Sequence, residues 1–201
     1  MDSIKKNRER THKLVGVALF TAIVVILQFI SMNLRFAAFS ITLVLMPVVL
    51  GTALYGVWAG AWLGFVFGVT VLLTGDAAPF LAINVSGTII TVLVKGTAAG
   101  LIAGLAYKAL EKYGQMIATF VAAVLAPIVN TGLFVLGCRL FFFDTIAAEG
   151  SNNGYNNTWL YIILFYVGIN FIIELVINLA LNPVIIRLIN IGRKTDKYIG
   201  A

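Results

Sequence analysis

Long apolar stretches separated by short polar intervals run through almost the whole chain. Six of them reach or approach the roughly 20 residues that an α-helix needs to cross a bilayer: residues 14–30, 41–55, 57–73, 87–107, 116–141 and 160–189. Only Gly56 separates the second stretch from the third, so these two form either a tight hairpin or a partly re-entrant pair. The pattern predicts an all-α integral membrane protein with six transmembrane helices.

The polar intervals define the rest of the organisation. We expect a basic cytoplasmic leader at residues 1–13, a six-helix domain at residues 14–191 and a basic cytoplasmic tail at residues 192–201. The longest interval, residues 144–158, is rich in Asn, Gly and Ser, which favour turns over regular structure. It is either a lid or a flexible connector.

Basic residues lie before the first span, between the fourth and fifth spans and after the sixth. They are Lys5, Lys6, Arg8, Arg10, Lys13, Lys108, Lys112, Arg187, Arg193, Lys194 and Lys197. All three clusters fall on one side of a six-span topology, and the positive-inside rule makes that side cytoplasmic. The pattern predicts a multi-pass protein of the cell membrane with both termini in the cytoplasm. This topology accounts for the formal charge of +6, so the charge gives no reason to expect a nucleic-acid partner.

The chain lacks the residues that most enzymes need. His12 is its one histidine and lies in the leader, and Cys138 is its one cysteine. This excludes a histidine or cysteine cluster for a metal and a Ser-His-Asp arrangement within the bundle. We therefore predict a protein that is not an enzyme, with no catalytic residue, no metal and no cofactor.

Several polar residues nevertheless lie inside the predicted spans. Counting inward at about 1.5 Å per residue, Lys95 lies one to two turns down the fourth span and Asn130 two to three turns down the fifth. Arg139 is near the mouth of the fifth, and Asn170 and Glu174 share one face of the sixth. Charges inside a membrane usually face a protein interior or a water-filled cavity. These five residues are the candidate substrate-binding set.

Each of these residues also has a purely structural interpretation. Lys95 and Glu174 could form a buried ion pair, because neither charge is supported alone in hydrocarbon. Arg139 could extend its side chain to the interface. Asn130 could satisfy a backbone group that Pro127 leaves free.

Small residues repeat at four-residue spacing in three spans. Gly60, Gly64 and Gly68 line one face of the third span, and a second set lines the fourth. Such faces allow close helix packing, and they could alternatively slide during a conformational cycle. Ala18 and Ala22 form a shorter pair in the first span.

The chain resembles the substrate-binding S component of energy-coupling factor (ECF) vitamin transporters over nearly its whole length. The stretches that carry the resemblance are FSITLVLMPVVLGTALYGVWAGAWLGFVFGV, GDAAPFLAINVSGTI, APIVNTGLFVLGCRLFFFDTI and VGINFIIELVINLALNPVIIRLI. Relatives often have proline where Val57 and Val85 stand here, a difference that affects loop rigidity more than identity.

This resemblance implies a subunit that captures a small-molecule vitamin outside the cell and delivers it inward. A transmembrane coupling subunit (ECF-T) and two ATPase subunits would be its partners, with Ala18 and Ala22 docking on ECF-T. The resemblance also implies a binding site between the outer halves of the fourth to sixth spans, capped by outer loops. Asn84 and Phe39 in those loops therefore join the candidate substrate-binding residues.

Two vitamins are candidate substrates, and a different transport mechanism is a rival function. Two cations, Lys95 and Arg139, against one carboxylate, Glu174, favour a small acid, with pantothenate first. Aromatic residues in or beside outer loops would instead stack on a flat ring such as that of riboflavin. The rival is a stand-alone proton- or sodium-coupled secondary transporter that uses Glu174 for coupling; a non-transport scaffold is a third possibility.

Overall fold

The computed structural model describes residues 2–33, 35–36, 39–40 and 43–200, and this part of the chain is almost entirely helical. Its α-helices are α1 (Asp2–Asn33), α2 (Leu45–Tyr55), α3 (Val57–Leu73), α4 (Ala78–Ile83), α5 (Val85–Leu110), α6 (Gln115–Gly137), α7 (Phe143–Asn152), α8 (Thr158–Tyr161), α9 (Gly168–Ala180) and α10 (Asn182–Gly200). Two short antiparallel strands, β1 (Arg35–Phe36) and β2 (Phe39–Ser40), follow α1. A 3-10 turn at Glu111–Tyr113 precedes α6, and π-helical segments at Cys138–Phe142 and Ile162–Val167 precede α7 and α9.

The helices differ in their ability to cross a membrane. Within the described residues, Arg10–Ser31, Val85–Tyr113 and Gln115–Asn152 are long and apolar enough to span. Thr158–Val167 and Asn170–Ala180, bent by 43°, pass the same test together and raise the number to four. Helices α2 and α3 are apolar but only 11 and 17 residues long. The predicted all-α class is confirmed, and the count of six spans stays a prediction.

Two predicted segments differ from the structure. The first part of the interval at residues 144–158, expected to be irregular, is helix α7. It is helical because Ile146 is fully buried, in a cluster with Phe142, Tyr161 and Ile162. This packing outweighs the turn-forming composition of the segment, since tertiary context overrides weak local propensities.

The stretch at residues 160–189, predicted as one helix, is broken into four pieces. The π-helical segment ends at Val167, and the 43° bend lies between Val167 and Asn170. Pro183 then stands in the first turn of α10, where a missing backbone N–H is tolerated because the first turn of a helix has no acceptor for it.

The glycine faces of α3 and α5 pack directly against each other. A Cβ atom built on Gly64 would collide with the carbonyl oxygen of Gly96, and one on Gly100 would collide with that of Gly60. The helices therefore approach backbone to backbone, as small residues allow. Close packing, one of the two interpretations of this pattern, is the arrangement present.

We expect Gly64→Ala to lower the free energy of unfolding by about 1–3 kcal/mol, the usual cost of overpacking a tight contact. The contacted atom belongs to backbone and cannot swing aside. Gly132→Ala in α6 is the matched control, because a Cβ there meets nothing within 4 Å. Denaturant titration in detergent micelles measures both. Equal stability of the two variants would contradict this account of the α3–α5 contact.

Candidate substrate-binding site

Four of the predicted polar residues line one cavity. Lys95 comes from α5, Asn130 from α6, and Asn170 and Glu174 from α9, where they lie one helical turn apart. The cavity has a volume of about 200 Å³. Residues of α1, α3, α4 and the π-helical segment Ile162–Val167 also line the cavity, so the site depends on how these elements pack together. Its role in substrate binding stays a prediction.

Lys95 projects from the middle of α5 into this cavity. Its Nζ lies 5.3 Å from the ring centroid of Phe134 and 6.0 Å from that of Phe67. Among the described side chains no salt bridge joins Lys95 to Glu174, so the ion pair considered from the sequence is not formed. Aromatic faces attract a cation but do not replace a hydrogen-bond acceptor. The ammonium group is therefore available to a ligand.

Several buried oxygen atoms around Lys95 lack a hydrogen-bond partner. They are Oδ1 of Asn130, Oδ1 of Asn170, Oε1 of Glu174 and Oε1 of Gln28. A buried polar atom left without a partner costs about 1–3 kcal/mol, and such atoms are rare in folded proteins. All four residues line the cavity. These atoms call for hydrogen-bond donors inside the cavity, from a ligand or from water.

Gln28 and Asp76 are among the polar cavity residues that were not identified from the sequence. Gln28 of α1 is 1% exposed, and its Nε2 donates to Oδ2 of Asp76 at 2.8 Å. Asp76, which follows α3, also lines the cavity. A glutamine within an apolar span and an aspartate in the turn before Pro79 were the signals that could have revealed them.

An aromatic cluster lines one side of the cavity. Phe80 of α4 lies at its centre, with ring centroids 5.3 Å from Phe134, 5.0 Å from Phe142 and 5.5 Å from Tyr166. Phe80, Phe134 and Tyr166 line the cavity. A ligand would thus meet polar groups on α5, α6 and α9 and aromatic rings beside them.

Three predicted site residues do not join this group. Arg139 is exposed and stacks on Phe143, with its guanidinium carbon 4.6 Å from the ring centroid, and it does not line the cavity. Asn84 caps α5, where its Oδ1 accepts from the backbone N–H of Gly87 at 2.8 Å. The side chain of Phe39 lies outside the described part of the chain.

Ala18 and Ala22 lie on a different surface. Both are exposed on α1, beside the exposed apolar side chains of Leu14, Leu19 and Ile26. The small pair therefore lies on an open apolar face away from the cavity-lining Gln28. Such a face suits contact with lipid or with another membrane helix.

Comparison with models of known protein families gives a match over most of the chain. Residues 12–186 match the model of a family described as the ECF transporter, substrate-specific component. Comparisons with curated proteins and with solved structures give no match. The matched range contains the cavity-lining residues and the exposed alanine pair, and it covers most of the chain. The chain therefore belongs to the substrate-specific component family of ECF transporters.

Proposed function

We propose that this chain captures a B-type vitamin or related micronutrient from outside the cell and delivers it inward, with ATP hydrolysed by partner subunits. The observation that carries the proposal is the convergence of Lys95, Asn130, Asn170 and Glu174 on one cavity. Family membership supports a small-molecule substrate and an energy-coupling module. An ECF-T subunit and two ATPases would form that module, and Ala18 and Ala22 would dock on ECF-T.

The proposed topology has six spans with both termini in the cytoplasm. Its support is the distribution of basic residues, which places the loop between α5 and α6 and both chain ends on one side. Helices α4 and α7 then lie at the outer side. The cavity, which Phe80 of α4 helps to line, would accept its substrate from that side.

The unpaired groups of the cavity define the chemistry of the ligand. Lys95 suits a carboxylate, and the acceptor oxygens of Asn130, Asn170 and Glu174 suit hydroxyl or amide N–H donors. A volume of about 200 Å³ lies below the roughly 300–1,000 Å³ of most ligand pockets, which favours a small molecule. A short acid with amide and hydroxyl groups has this combination. Pantothenate is therefore our first candidate.

The charged residues of the cavity lining differ from the set expected from the sequence. Arg139 lies outside the cavity lining and Asp76 lies within it, so the expected excess of cations over carboxylates is wrong. The preference for an acid rests instead on the individual ammonium group of Lys95. Riboflavin is the second candidate, because the rings of Phe80, Phe134 and Tyr166 could stack on a flat heterocycle.

Equilibrium titration of the purified protein with pantothenate and with riboflavin tests this choice. The proposal predicts saturable high-affinity binding of pantothenate and weaker binding of riboflavin. Tight riboflavin binding without pantothenate binding would overturn the substrate choice. Binding of neither, together with no other vitamin detected by mass spectrometry of the purified protein, would contradict vitamin capture.

We expect Glu174→Gln to weaken binding about tenfold, because a buried carboxylate is the stronger hydrogen-bond acceptor. Uptake that remains should still depend on ATP. Glu111→Gln, an exposed carboxylate outside the cavity, is the matched control. Transport assays in vesicles with an imposed proton or sodium gradient give the readout. Gradient-driven uptake that disappears in Glu174→Gln would favour the secondary transporter.

A further inference from the structure

One carboxylate of α7 holds two tyrosines of the following helical segments. Oε1 of Glu149 accepts from the Tyr161 hydroxyl at 3.0 Å, and Oε2 accepts from the Tyr166 hydroxyl at 2.7 Å. Asn153 reinforces the arrangement, since its Nδ2 contacts the Glu149 carbonyl oxygen at 2.9 Å and the Tyr161 hydroxyl oxygen at 3.2 Å. Helix α7 is thus connected to the segment that precedes α9.

The two tyrosines have different surroundings. Tyr161 is 3% exposed and packs with Cys138 and Ile146; it does not itself line the cavity, although its ring centroid lies 4.5 Å from that of Phe165, which does. Tyr166 lines the cavity and contacts Phe80 of α4 at a centroid distance of 5.5 Å. The bond from Tyr166 to Glu149 therefore fixes a residue of the cavity wall, whereas the bond from Tyr161 does not.

Tyr166 also belongs to a segment whose backbone departs from a regular α-helix. It lies in the π-helical stretch Ile162–Val167, next to the 43° bend that precedes Asn170 and Glu174. A π-helix departs from the regular i→i−4 hydrogen-bond pattern and often occurs at functional sites. A charge-assisted side-chain bond is stronger than a neutral one and can hold such a segment in place.

We propose that Glu149 is a positioning residue that acts through Tyr166 to keep the Phe80–Tyr166 side of the cavity closed over bound substrate. This inference rests on the proposed function of the cavity. It assigns Glu149, which does not line the cavity, to the control of substrate release toward the α4–α7 end of the protein.

The test is the dissociation rate of tritiated pantothenate from the purified full-length protein. Losing a hydrogen bond to a charged, partly solvated group should raise this rate about five- to tenfold in Glu149→Gln and in Tyr166→Phe. The double variant should dissociate no faster than the faster single variant, because both changes remove one interaction. Unchanged rates, or effects that multiply in the double variant, would overturn the proposal.

Tyr161→Phe separates positioning from general stability. It removes a bond to the same carboxylate from a ring outside the cavity lining, so thermal stability should fall as in Tyr166→Phe. Its dissociation rate should stay within about twofold of wild type, less than the effect of a lost charged hydrogen bond. Asp144→Asn, an exposed carboxylate in the first turn of the same helix, controls for charge removal. Equal acceleration by Tyr161→Phe and Tyr166→Phe would contradict the positioning role.

Labelling of the single cysteine, Cys138, tests the role of Glu149 without a ligand. Cys138 is fully buried in the cluster beneath α7, so its reaction with a maleimide should be faster in Glu149→Gln and Tyr166→Phe than in wild type. Unchanged labelling would overturn the role of Glu149 even without a ligand. A wild-type protein that binds neither pantothenate nor riboflavin contradicts the proposed function instead, so the two failures are distinguishable.

Discussion

Replacing Lys95 with methionine is expected to abolish high-affinity binding of pantothenate while the protein stays folded. Methionine keeps most of the length and the apolar stem of lysine, and it packs well against the rings of Phe67 and Phe134. The ammonium group is lost, and with it the cavity's cationic partner for a carboxylate. Removing one member of a buried charged pair costs about 2–5 kcal/mol, so affinity should fall by at least about 30-fold.

The matched control is Lys108→Met on the same helix. Lys108 is exposed near the end of α5, so its loss should leave affinity unchanged. Titration calorimetry of both variants, with circular dichroism melts to verify folding, gives the comparison. An unchanged affinity of Lys95→Met for pantothenate would contradict the assignment of this lysine. A selective loss for the acid, with riboflavin unaffected, would support it most directly.

Replacing Ala22 with tryptophan is expected to abolish uptake without affecting binding. Ala22 is exposed on an apolar face of α1, away from the cavity-lining residues. A docking helix that approaches at small-residue distance cannot accommodate an indole ring, because tightly packed interfaces have little free volume. Transport should therefore fall below about a tenth of the wild-type rate, as expected when a close helix contact is blocked.

Leu105→Trp on α5 is the control for a bulky residue in the membrane-facing surface. Leu105 is 51% exposed, and we expect near-normal uptake from this variant. Uptake in reconstituted vesicles and binding by the isolated subunit should be measured on the same preparations. Equal loss of uptake and binding in Ala22→Trp would indicate a folding defect rather than lost docking. Normal uptake would remove α1 from the docking surface.

Four of the cavity residues, Lys95, Asn130, Asn170 and Glu174, could be predicted because polar side chains are rare in an apolar span. Lys95, Asn130 and Glu174 are expensive to expose to lipid, so each had to face the protein interior. Counting residues along straight helices then gave similar depths.

Arg139 is a residue whose position cannot be predicted by counting residues along a regular helix. It lies in the π-helical segment Cys138–Phe142, which adds a residue to a turn and rotates everything beyond it relative to a regular helix. The arginine consequently stacks on Phe143 on the exposed side. A regular 3.6-residue period contains no signal for this rotation.

Gln28 and Asp76 could not be placed for a different reason. Their contribution to the cavity depends on how α1 packs beside the turn between α3 and α4, and 48 positions separate them along the chain. Helix α7 was missed in the same way, because the burial of Ile146 under Tyr161 stabilises it against its composition. Long-range packing determines these features, and local propensity carries little of that information.

The central claim is that this chain is the vitamin-capturing subunit of an ATP-driven importer. Its most direct test is affinity purification of the tagged protein from its native membranes, followed by native mass spectrometry of the intact assembly. The account predicts one coupling subunit, two ATPase subunits and a bound vitamin in complex with the chain. Recovery of the chain without any ATPase, in a preparation that still transports on an ion gradient, would contradict it.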